Sequence, residues 1–582
     1  MERDEKTAHY EGDTDVSQTS SPLPPTPARS GADAPRPSML RSVMSFSSMT
    51  MISRVFGLVR DMIISRVFGV DAATDAFWVA FRIPNFMRRL FAEGSFTTAF
   101  VPVFTEIKEK RSHAELKELV ARTAGTLGAV LLLVVGLGLL FTPQVAVIFS
   151  AGGDHAEKFD LTVQLLRLTF PFILFVSLTA LAGGALNSFH RFAMPALVPV
   201  LLNLSMIGCA LWLAPHLHTP ILALGWAILF GGIIQLLCLL PDMAKLDLLA
   251  LPRFGFFHPD VRKVMRLMVP TLFGSSIAQV NLLLDTVIAS LLFVGSQSWL
   301  SQADRFLELP LGVFGIALGT VILPTLARHH VNTDEAGFSK SLDWGLRTTL
   351  MIAVPAMLGL MFLSVPLVAT LFQYGHYKPF DSQMAALSVF GLSFGLPSFA
   401  LVKVVLPAFY ARQDTKTPVK AGIASLIANM GFNFLFLGLL WLAVTKRWWS
   451  PADAPNLDAA ITAAHSASWL MMFSTIPGLH FALGMASAVA SYLNLALLWH
   501  WLRKAGVYQR QPGWGRFALR LALACAVMVA VILATLHVGP DFTAVPALTR
   551  IVWLGGIVLA GAGSYVVAMF VLGFRPRDLR EH

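Results

Sequence analysis

The feature that most constrains this chain is a series of long apolar segments, most of about 20 residues or more. A helix of that length crosses the hydrocarbon core of a bilayer, which is roughly 30 Å thick. Composition agrees, because 55% of the 582 residues are hydrophobic, only 13% are charged, and the mean hydropathy is +0.66. The pattern therefore predicts an all-α polytopic membrane protein. It lacks the short alternating segments that are typical of membrane β-barrels.

The apolar segments predict about fourteen membrane spans. We place them at residues 42–67, 76–104, 122–149, 160–187, 193–213, 219–240, 264–293, 303–327, 345–372, 383–410, 418–445, 477–502, 517–537 and 549–573. The stretch 1–38 is rich in Ser, Thr and Pro and cannot bury a core, so we expect it to be disordered. The long loop at 446–476 is expected to contain a short surface helix.

A faint repeat favours two halves of six spans each. The second span ends GSFTTAFVPVFTE and the eighth ends GVFGIALGTVILPTLAR, and both show glycine, an apolar run, proline and a charged exit. Internal repeats of this kind are found in membrane transporters. We predict a disordered extension (1–38), an N-terminal lobe (39–241), a C-terminal lobe (242–503), and two further spans with a tail (504–582).

Basic residues gather in one set of alternating loops, which indicates that these loops are cytoplasmic. With an even number of spans, both termini are then expected on that side. The net charge of +10 follows from this asymmetry and does not call for nucleic acid as a partner. No Walker loop, zinc motif or cysteine cluster is present. We therefore expect no cofactor, and the identity of any coupling ion is left open.

Charged residues interrupt the first two spans. Arg54, Arg60 and Asp61 lie in the first, and Arg88 and Glu93 lie in the second. A charge inside a membrane costs roughly 2.5–3.5 kcal/mol on insertion scales, so each should have a partner or a function. Arginine stays charged in any protein setting and matches phosphate oxygens with a planar fork of donors. Arginines from separate helices are therefore expected to bind an anionic group, such as a diphosphate, in a polar cavity.

Simpler interpretations stay open for several charges. Arg305 lies three residues before Glu308, and Arg89 lies four residues before Glu93, so each pair is also compatible with a structural ion pair that locks helices. Asp75 stands at the start of the second span, where an acid can simply cap the helix.

Two long stretches resemble one known family. The segments SSMTMISRVFGLVRD and ATDAFWVAFRIPNFMRRLFAEGSFTTAFVPVF resemble the opening of the MurJ (MviN) family, the bacterial lipid II flippases. Later segments, ADRFLELPLGVFGIALGTVILP and LPAFYARQDTKTPVK, are similar to other signatures of that family, so the resemblance covers roughly residues 39–575. It implies fourteen helices in two lobes around a central cavity, with a hydrophobic groove for the lipid tail formed by the last two helices.

The resemblance also implies a function. Proteins of this family move lipid II, the lipid-linked peptidoglycan precursor, between leaflets of the bacterial inner membrane by alternating access. The expected partners are lipid II and membrane lipids, with other cell-wall synthesis proteins left open. Residues that match substrate-binding positions of the family are Arg54, Arg60, Arg88, Arg305, Ser53, Asn85 and Ser298. Residues that match gating or charge-pairing positions are Asp61, Asp75, Glu93 and Glu308.

Other functions are compatible with parts of the pattern. A cation-coupled multidrug or polysaccharide-lipid exporter would share the fold, but its cavity should be rich in acids and not in arginine. A membrane enzyme acting on polyprenyl phosphates would need catalytic acids or histidines grouped at one membrane face, and no such group is visible. The segment GLSFG at 391–395 matches a hydrolase pattern without the strand, turn and helix that this pattern requires. A scaffold that transports nothing is a further alternative.

Overall fold

The computed structural model describes residues 39–89, 96–150, 156–451, 457–466, 471–509 and 511–575. Secondary structure within these residues is helical, in keeping with the predicted all-α class. The first ten helices are α1 (Met39–Phe68), α2 (Ala72–Arg88), α3 (Phe96–Lys110), α4 (His113–Leu140), α5 (Thr142–Ser150), α6 (Ala156–Thr169), α7 (Phe172–Ser188), α8 (Ala193–Gly208), α9 (Leu222–Lys245) and α10 (Pro259–Ser290). The others are α11 (Ser296–Val331), α12 (Glu335–Phe362), α13 (Ser364–Phe372), α14 (Pro379–Ser393), α15 (Leu396–Tyr410), α16 (Lys416–Thr445), α17 (Leu457–Ser466), α18 (Phe481–Lys504), α19 (Trp514–Val538) and α20 (Ala547–Val571).

Several predicted spans consist of two helices that meet at a break. The breaks lie at Phe141 between α4 and α5, at Pro171 between α6 and α7, at Leu363 between α12 and α13, and at Gly395 between α14 and α15. Pro171 has no backbone N–H to continue the helical hydrogen bonds, so a new helix starts after it. Neighbouring helices satisfy the freed backbone groups, which is why such breaks are tolerated inside a membrane.

Ten stretches of the described residues are helical, long and apolar enough to cross a membrane. They correspond to the predicted third to sixth and ninth to fourteenth spans. The predicted total of fourteen is therefore not confirmed by length and composition. The four remaining predicted spans are those built from α1, α2 with α3, α10 and α11. Of these, α2 with 17 residues and α3 with 15 residues are each too short by themselves to cross a membrane. The charged residues of the candidate site lie in α1, α2, α10 and α11, and a helix that lines a polar cavity is less apolar than one that faces lipid.

The helices bury separate hydrophobic cores. One core joins α1–α9 and the start of α10, and includes the fully buried Phe77, Phe100 and Phe172. Three further clusters join α10–α18, and two smaller ones pack α19 and α20 against α12 and α13. The helices of the first core form one group, and those of the next three clusters form a second group. Helices α1 and α2 of the first group contact α11 of the second along the boundary between them. The exact domain limits stay a prediction, and residues 1–38 lie outside the described residues.

The described residues of the long loop after α16 include the short α-helix α17, as predicted. The Arg447 side chain binds Asp458 of α17 across 2.6 Å. Trp441 and Trp449 pack against the cluster beneath the loop. The loop therefore covers the end of α16.

Candidate functional site

Five charged side chains from α1 and α11 meet where the two groups of helices touch. We call Arg54, Arg60, Asp61, Arg305 and Glu308 the ion network. The Asp61 carboxylate lies 2.6 Å from the Arg60 guanidinium on one side and 2.6 Å from the Arg305 guanidinium on the other. Arg305 also binds Glu308, one turn along α11, at 2.7 Å. Two acids thus face three arginines, and the network carries an excess of positive charge.

Burial makes these contacts strong. Arg60 is 3% exposed and Asp61 is 2% exposed, and a second Arg60 nitrogen donates to Asn203 of α8 at 3.0 Å. Removal of one partner from a buried ion pair costs about 3–5 kcal/mol, because it leaves the other charge without compensation. Arg60 is therefore fixed against α8 in this conformation, while Arg305 spans the boundary between the two groups of helices.

The Arg54 side chain contacts α11 in the space left by a glycine that has no side chain. Its guanidinium donates to the backbone carbonyl of Glu308, and a Cβ atom at Gly312 would overlap the same guanidinium. The absence of a side chain at Gly312 therefore leaves the space that Arg54 occupies. The Nε atom of Arg54 is buried and has no hydrogen-bond partner among the described residues. The sequence alone did not indicate this close approach.

A polar cavity of about 310 Å³ opens beside the ion network. Arg305 and Glu308 line it together with residues of α2, where Arg82 lies 3.6 Å from Asp304 and Arg89 lies 3.7 Å from Glu308. These ion pairs are longer than those of Asp61, and their side chains are partly exposed. The other residues that line the cavity are Trp78, Phe81, Asn85, Asn281, Leu282, Asp285, Ser301, Leu307, Leu311, Leu392, Phe399 and Ser487.

The predicted residues outside the ion network lie in different places. Asn85 lines the cavity and accepts two hydrogen bonds from Arg88, at 2.9 and 3.1 Å, so these two side chains form one unit at the end of α2. Ser53 is half-buried, and its backbone carbonyl accepts a hydrogen bond from Asn203. Ser298 lies away from the described lining of the cavity, beside Asp75. Glu93 lies outside the described residues.

Asp75 joins α2 to the start of α11. Its carboxylate accepts hydrogen bonds from the backbone N–H of Gly295 at 2.7 Å, from the backbone N–H of Ser298 at 3.1 Å and from the Ser298 hydroxyl at 2.8 Å. We call these three residues the latch. Gly295 adopts φ 103°, which favours glycine, and it directs its N–H toward Asp75. Asp75 therefore caps α11 and not its own helix, whose cap is Asp71.

Other contacts close the same end of the bundle. The Gln302 side chain donates to the Ser65 hydroxyl at 3.0 Å and accepts from the Tyr377 hydroxyl at 2.7 Å. The backbone N–H of His376 donates to the carbonyl of Arg66 at 3.1 Å. All of these contacts lie near the C-terminal end of α1. The two groups of helices are thus sealed together on this side of the ion network.

A second polar cluster surrounds Asp285 of α10. Its carboxylate accepts hydrogen bonds from Asn429 at 3.0 Å, from Asn433 at 2.7 Å and from Ser487 at 3.3 Å, as well as from Asn281 on its own helix at 3.2 Å. These partners of Asp285 were not predicted from the sequence. A signal was present, since Asn281 and Asp285, and likewise Asn429 and Asn433, are spaced by four residues in apolar helices and so share a helix face.

An apolar groove lies between α12 and the last two helices. It has a volume of about 610 Å³. Residues such as Ala356, Gly359 and Gly561 line it with little side-chain bulk, and Tyr565 and Phe570 close it from α20. The groove matches the expectation that the last two helices form a hydrophobic surface. The described residues contain no group of three or more His, Cys, Asp or Glu side chains that could hold a metal ion.

The same fold is found in solved membrane transporters. A structure of a lipid II flippase MurJ in an inward closed conformation matches with a TM-score of 0.71 and 24% sequence identity, over 91% of this chain and 98% of that one. An inward-facing multidrug resistance transporter of the MATE family and MOP superfamily matches with a TM-score of 0.59 and 13% identity, over 80% of this chain. At these identities the matches establish the arrangement of helices alone.

Sequence comparisons identify the family. A protein of Burkholderia cenocepacia named lipid II flippase MurJ is 38% identical over 551 residues, which are 93% of this chain and 99% of that protein. A protein of Vibrio cholerae serotype O1 named as a probable lipid II flippase MurJ is 39% identical over 552 residues, which are 93% of this chain and 98% of that protein. The family model for the lipid II flippase MurJ matches residues 64–445. These matches show that the chain belongs to the MurJ family of lipid II flippases.

Proposed function

We propose that this protein moves lipid II from the cytoplasmic to the external leaflet of the bacterial inner membrane. Its relatives are named lipid II flippases. The observation that supports this most directly is the ion network, which gathers three arginines and two acids beside a polar cavity between two groups of helices. A diphosphate carries charge that cannot cross hydrocarbon unaided. A cationic chamber can replace the hydration that such a head group loses.

In the proposed mechanism, the arginines exchange partners when substrate enters. Without substrate, Asp61 and Glu308 neutralise Arg60 and Arg305. Phosphate oxygens can then take the place of Glu308, which is partly exposed, more readily than that of Asp61, which is buried. Arg54 adds a further donor, and the pair of Asn85 and Arg88 extends the polar wall. The diphosphate thus meets guanidinium groups on both sides of the boundary.

The lipid tail requires a separate surface. The apolar groove between α12 and α20 is lined by hydrophobic side chains and backbone, so a polyprenyl chain can lie there while the head group occupies the cavity. Pro310 of α11 lines the groove, and Glu308, two residues earlier, lines the cavity. The two sites are therefore close along α11, which suits a substrate with one polar and one apolar end.

Alternating access requires the sealed end to open. In this conformation the latch and the Ser65–Gln302 contact join the two groups of helices, and we propose that this end faces the external side. Opening would separate Asp75 from Ser298 and part the ion network at Arg305. Because the Arg305 guanidinium would lose Asp61 in that step, the anionic head group of the bound substrate has to supply the compensating interactions.

The test is growth of bacteria depleted of their own lipid II flippase. We expect this chain to support growth, and we expect the combined variant Arg54→Ala, Arg60→Ala and Arg88→Ala to fail at a normal protein level. The matched control replaces three arginines of loops or helix ends, Arg191, Arg412 and Arg503, by alanine and should support growth. Full growth of the first variant would refute the binding role of the arginines.

A direct measurement uses the exposure of lipid II to a probe added outside the cell. Rapid loss of this protein should reduce the exposed lipid II, and the control variant should restore it. Unchanged exposure after loss would refute transport and leave a scaffold as the alternative. The hypothesis of a membrane enzyme is not supported, because the family consists of flippases, which are transporters. A multidrug exporter shares the fold but predicts loss of drug resistance instead.

We also propose a site for a coupling cation. The candidate is the cluster at Asp285, where the Oδ1 atoms of Asn429 and Asn433 are buried and have no hydrogen-bond partner within the described residues. Both asparagines donate their amide N–H groups to Asp285 here, so cation binding requires them to turn these oxygens toward the carboxylate. A carboxylate with amide and hydroxyl oxygens is a ligand set for hard cations. Replacement of Asp285 by Asn should then abolish any dependence of transport on sodium. Equal sodium dependence in both proteins would exclude this cluster.

Location and topology follow from the same proposal. The family and the basic loops support the inner membrane, with both termini in the cytoplasm. A reporter enzyme that is active only outside the cytoplasm should be inactive when fused after residue 575 and active when inserted in the loop after α16. Interactions with other cell-wall synthesis proteins stay open and can be tested by affinity capture of the intact protein.

A further inference from the structure

The segment that joins α9 to α10 exposes an unusual number of apolar side chains. We call residues 249–257 the strap. Leu251 is 85% exposed, Phe254 is 65% exposed and Phe257 is 82% exposed, and Leu249 and Phe256 are exposed as well. Single exposed apolar residues are normal, but five within nine positions form a patch. A surface of this kind needs an apolar partner.

Two hydrogen bonds attach the strap to α4 at one level along the helix axis. The backbone N–H of Arg253 donates to the carbonyl of Ala121 at 2.9 Å, and that of Gly255 donates to the hydroxyl of Thr126 at 3.0 Å. These contacts straddle Arg122, the last charged residue of α4. Before that point α4 is polar and charged, and after it the helix is apolar. The strap therefore crosses α4 at the border between its polar and apolar parts.

This height corresponds to the interface of the bilayer. The apolar side chains that α4 exposes begin at Val130, one turn beyond Thr126, and this distance is about 6 Å along the helix. The strap has no helix or strand, so many of its backbone groups need water or lipid head groups as partners. Its side chains need hydrocarbon. Only the boundary between head groups and acyl chains satisfies both demands.

The acidic residues near the strap are already paired. Asp247 binds Lys117 at 2.6 Å, and Asp260 binds Arg111 at 2.9 Å. The hydrogen bond from Lys117 holds the pKa of the Asp247 carboxyl below its usual range, so this carboxyl stays charged and paired. Both pairs also tie the segment between α9 and α10 to the start of α4. The negative charge of this region is thus neutralised within the protein.

The basic residues near the strap are exposed. Arg253 lies within it, and Arg262 and Arg266 lie on the first two turns of α10. Exposed cations beside an apolar patch match a membrane surface that carries anionic lipids. A soluble protein partner would not account for the position of the patch at the height where α4 becomes apolar. We propose that the strap is a membrane anchor whose apolar side chains enter the cytoplasmic leaflet and whose arginines bind anionic lipid head groups.

A spin label attached to the new thiol of Phe254→Cys or of Phe257→Cys tests the depth of the strap. The full chain, with its three native cysteines replaced by alanine, is reconstituted in vesicles of phosphatidylcholine with or without phosphatidylglycerol. Collisions with oxygen, which enters the bilayer, are compared with collisions with a neutral nickel chelate, which stays in water. Both labels should favour oxygen. A label at Asn332, an exposed polar residue after α11, is the control and should favour nickel.

Charge is tested in the same vesicles. Phosphatidylglycerol should shift both labels deeper, and the variant Arg253→Gln, Arg262→Gln and Arg266→Gln should lose at least half of that shift. A preference for nickel at positions 254 and 257, as at 332, would overturn the anchor and make the patch available to a protein. Protection from both reagents would overturn it in favour of coverage by another protein segment. Oxygen preference without any effect of phosphatidylglycerol would overturn the role of the arginines.

Discussion

The latch allows a quantitative test of how the sealed end is held. Replacement of Asp75 by alanine removes three hydrogen bonds, to the backbone N–H groups of Gly295 and Ser298 and to the Ser298 hydroxyl. Asp75 is 1% exposed, so water does not weaken these contacts. The substitution also removes the negative charge at the start of α11, where the helix dipole is positive. All of these interactions cross the boundary between the two groups of helices.

Each hydrogen bond to a charged group contributes about 1.5–3 kcal/mol, and bonds that share one carboxylate do not add fully. We therefore take about 3 kcal/mol for the latch as a whole. Every 1.4 kcal/mol changes an equilibrium about tenfold, so Asp75→Ala should raise the equilibrium constant for opening roughly a hundredfold. This factor applies whatever the opening equilibrium of the unchanged protein is.

The assay measures the rate at which a thiol reagent added outside modifies a cysteine at position 65. Ser65 is buried by its contact with Gln302, so a cysteine there reacts only after the sealed end opens. When opening and closing are fast, the rate of modification is proportional to the opening equilibrium. We expect a roughly hundredfold faster reaction in the Asp75→Ala background.

The matched control is Asp71→Ala, which removes a capping carboxylate whose bonds lie entirely within the start of α2. This change should lower overall stability by about 1 kcal/mol and leave the rate of modification nearly unchanged. Equal rates in the Asp75→Ala and Asp71→Ala proteins would refute the reasoning, since the Asp75 contacts would then contribute nothing across the boundary.

Two further predictions concern contacts that the fold creates. Gly312→Ala places a methyl group where the Arg54 guanidinium lies, so complementation should fail at a normal protein level, whereas Gly136→Ala in α4, whose added methyl group meets no atom within 4 Å, should support normal growth. Growth of both variants would show that Arg54 has another position. Asp343→Asn weakens a buried acceptor that binds the Tyr508 hydroxyl at 2.7 Å, and it should lower the free energy of unfolding by about 2–4 kcal/mol. Thermal unfolding in detergent measures this loss, and an unchanged midpoint would contradict it.

The amino-acid sequence located the charged residues of the site but not their partners. It singled out Arg54, Arg60 and Asp61 because a charge in an apolar helix is costly. It offered Arg305 with Glu308 as a local pair, and the structure adds the longer-range contact from Arg305 to Asp61, which lies 244 residues away in the chain. Spacing along one helix predicts neighbours three or four residues apart. It contains no information about which helix lies opposite.

Asp75 illustrates the same limit. Its place at the start of the second span left a cap of that helix open as one interpretation, yet Asp71 performs that role and Asp75 caps α11. The cluster around Asp285 was missed for a similar reason, because its amides come from α16, far along the chain. In both cases a buried acid needs hydrogen-bond donors, as its sequence position indicates. The residues that supply these donors lie on another helix, which the local sequence does not identify.

By itself the sequence determined that this chain is helical and lies in a membrane, because apolar runs of that length have no other stable environment. It also determined which residues raise the free energy of the chain in a membrane, since this free-energy cost of a buried charge depends on residue type and setting alone. Only the tertiary structure decided which charges neutralise one another, which glycine makes room for Arg54, and which end of the bundle is sealed. Those outcomes depend on the packing of helices that are distant in the chain, and packing is a property of the assembled fold.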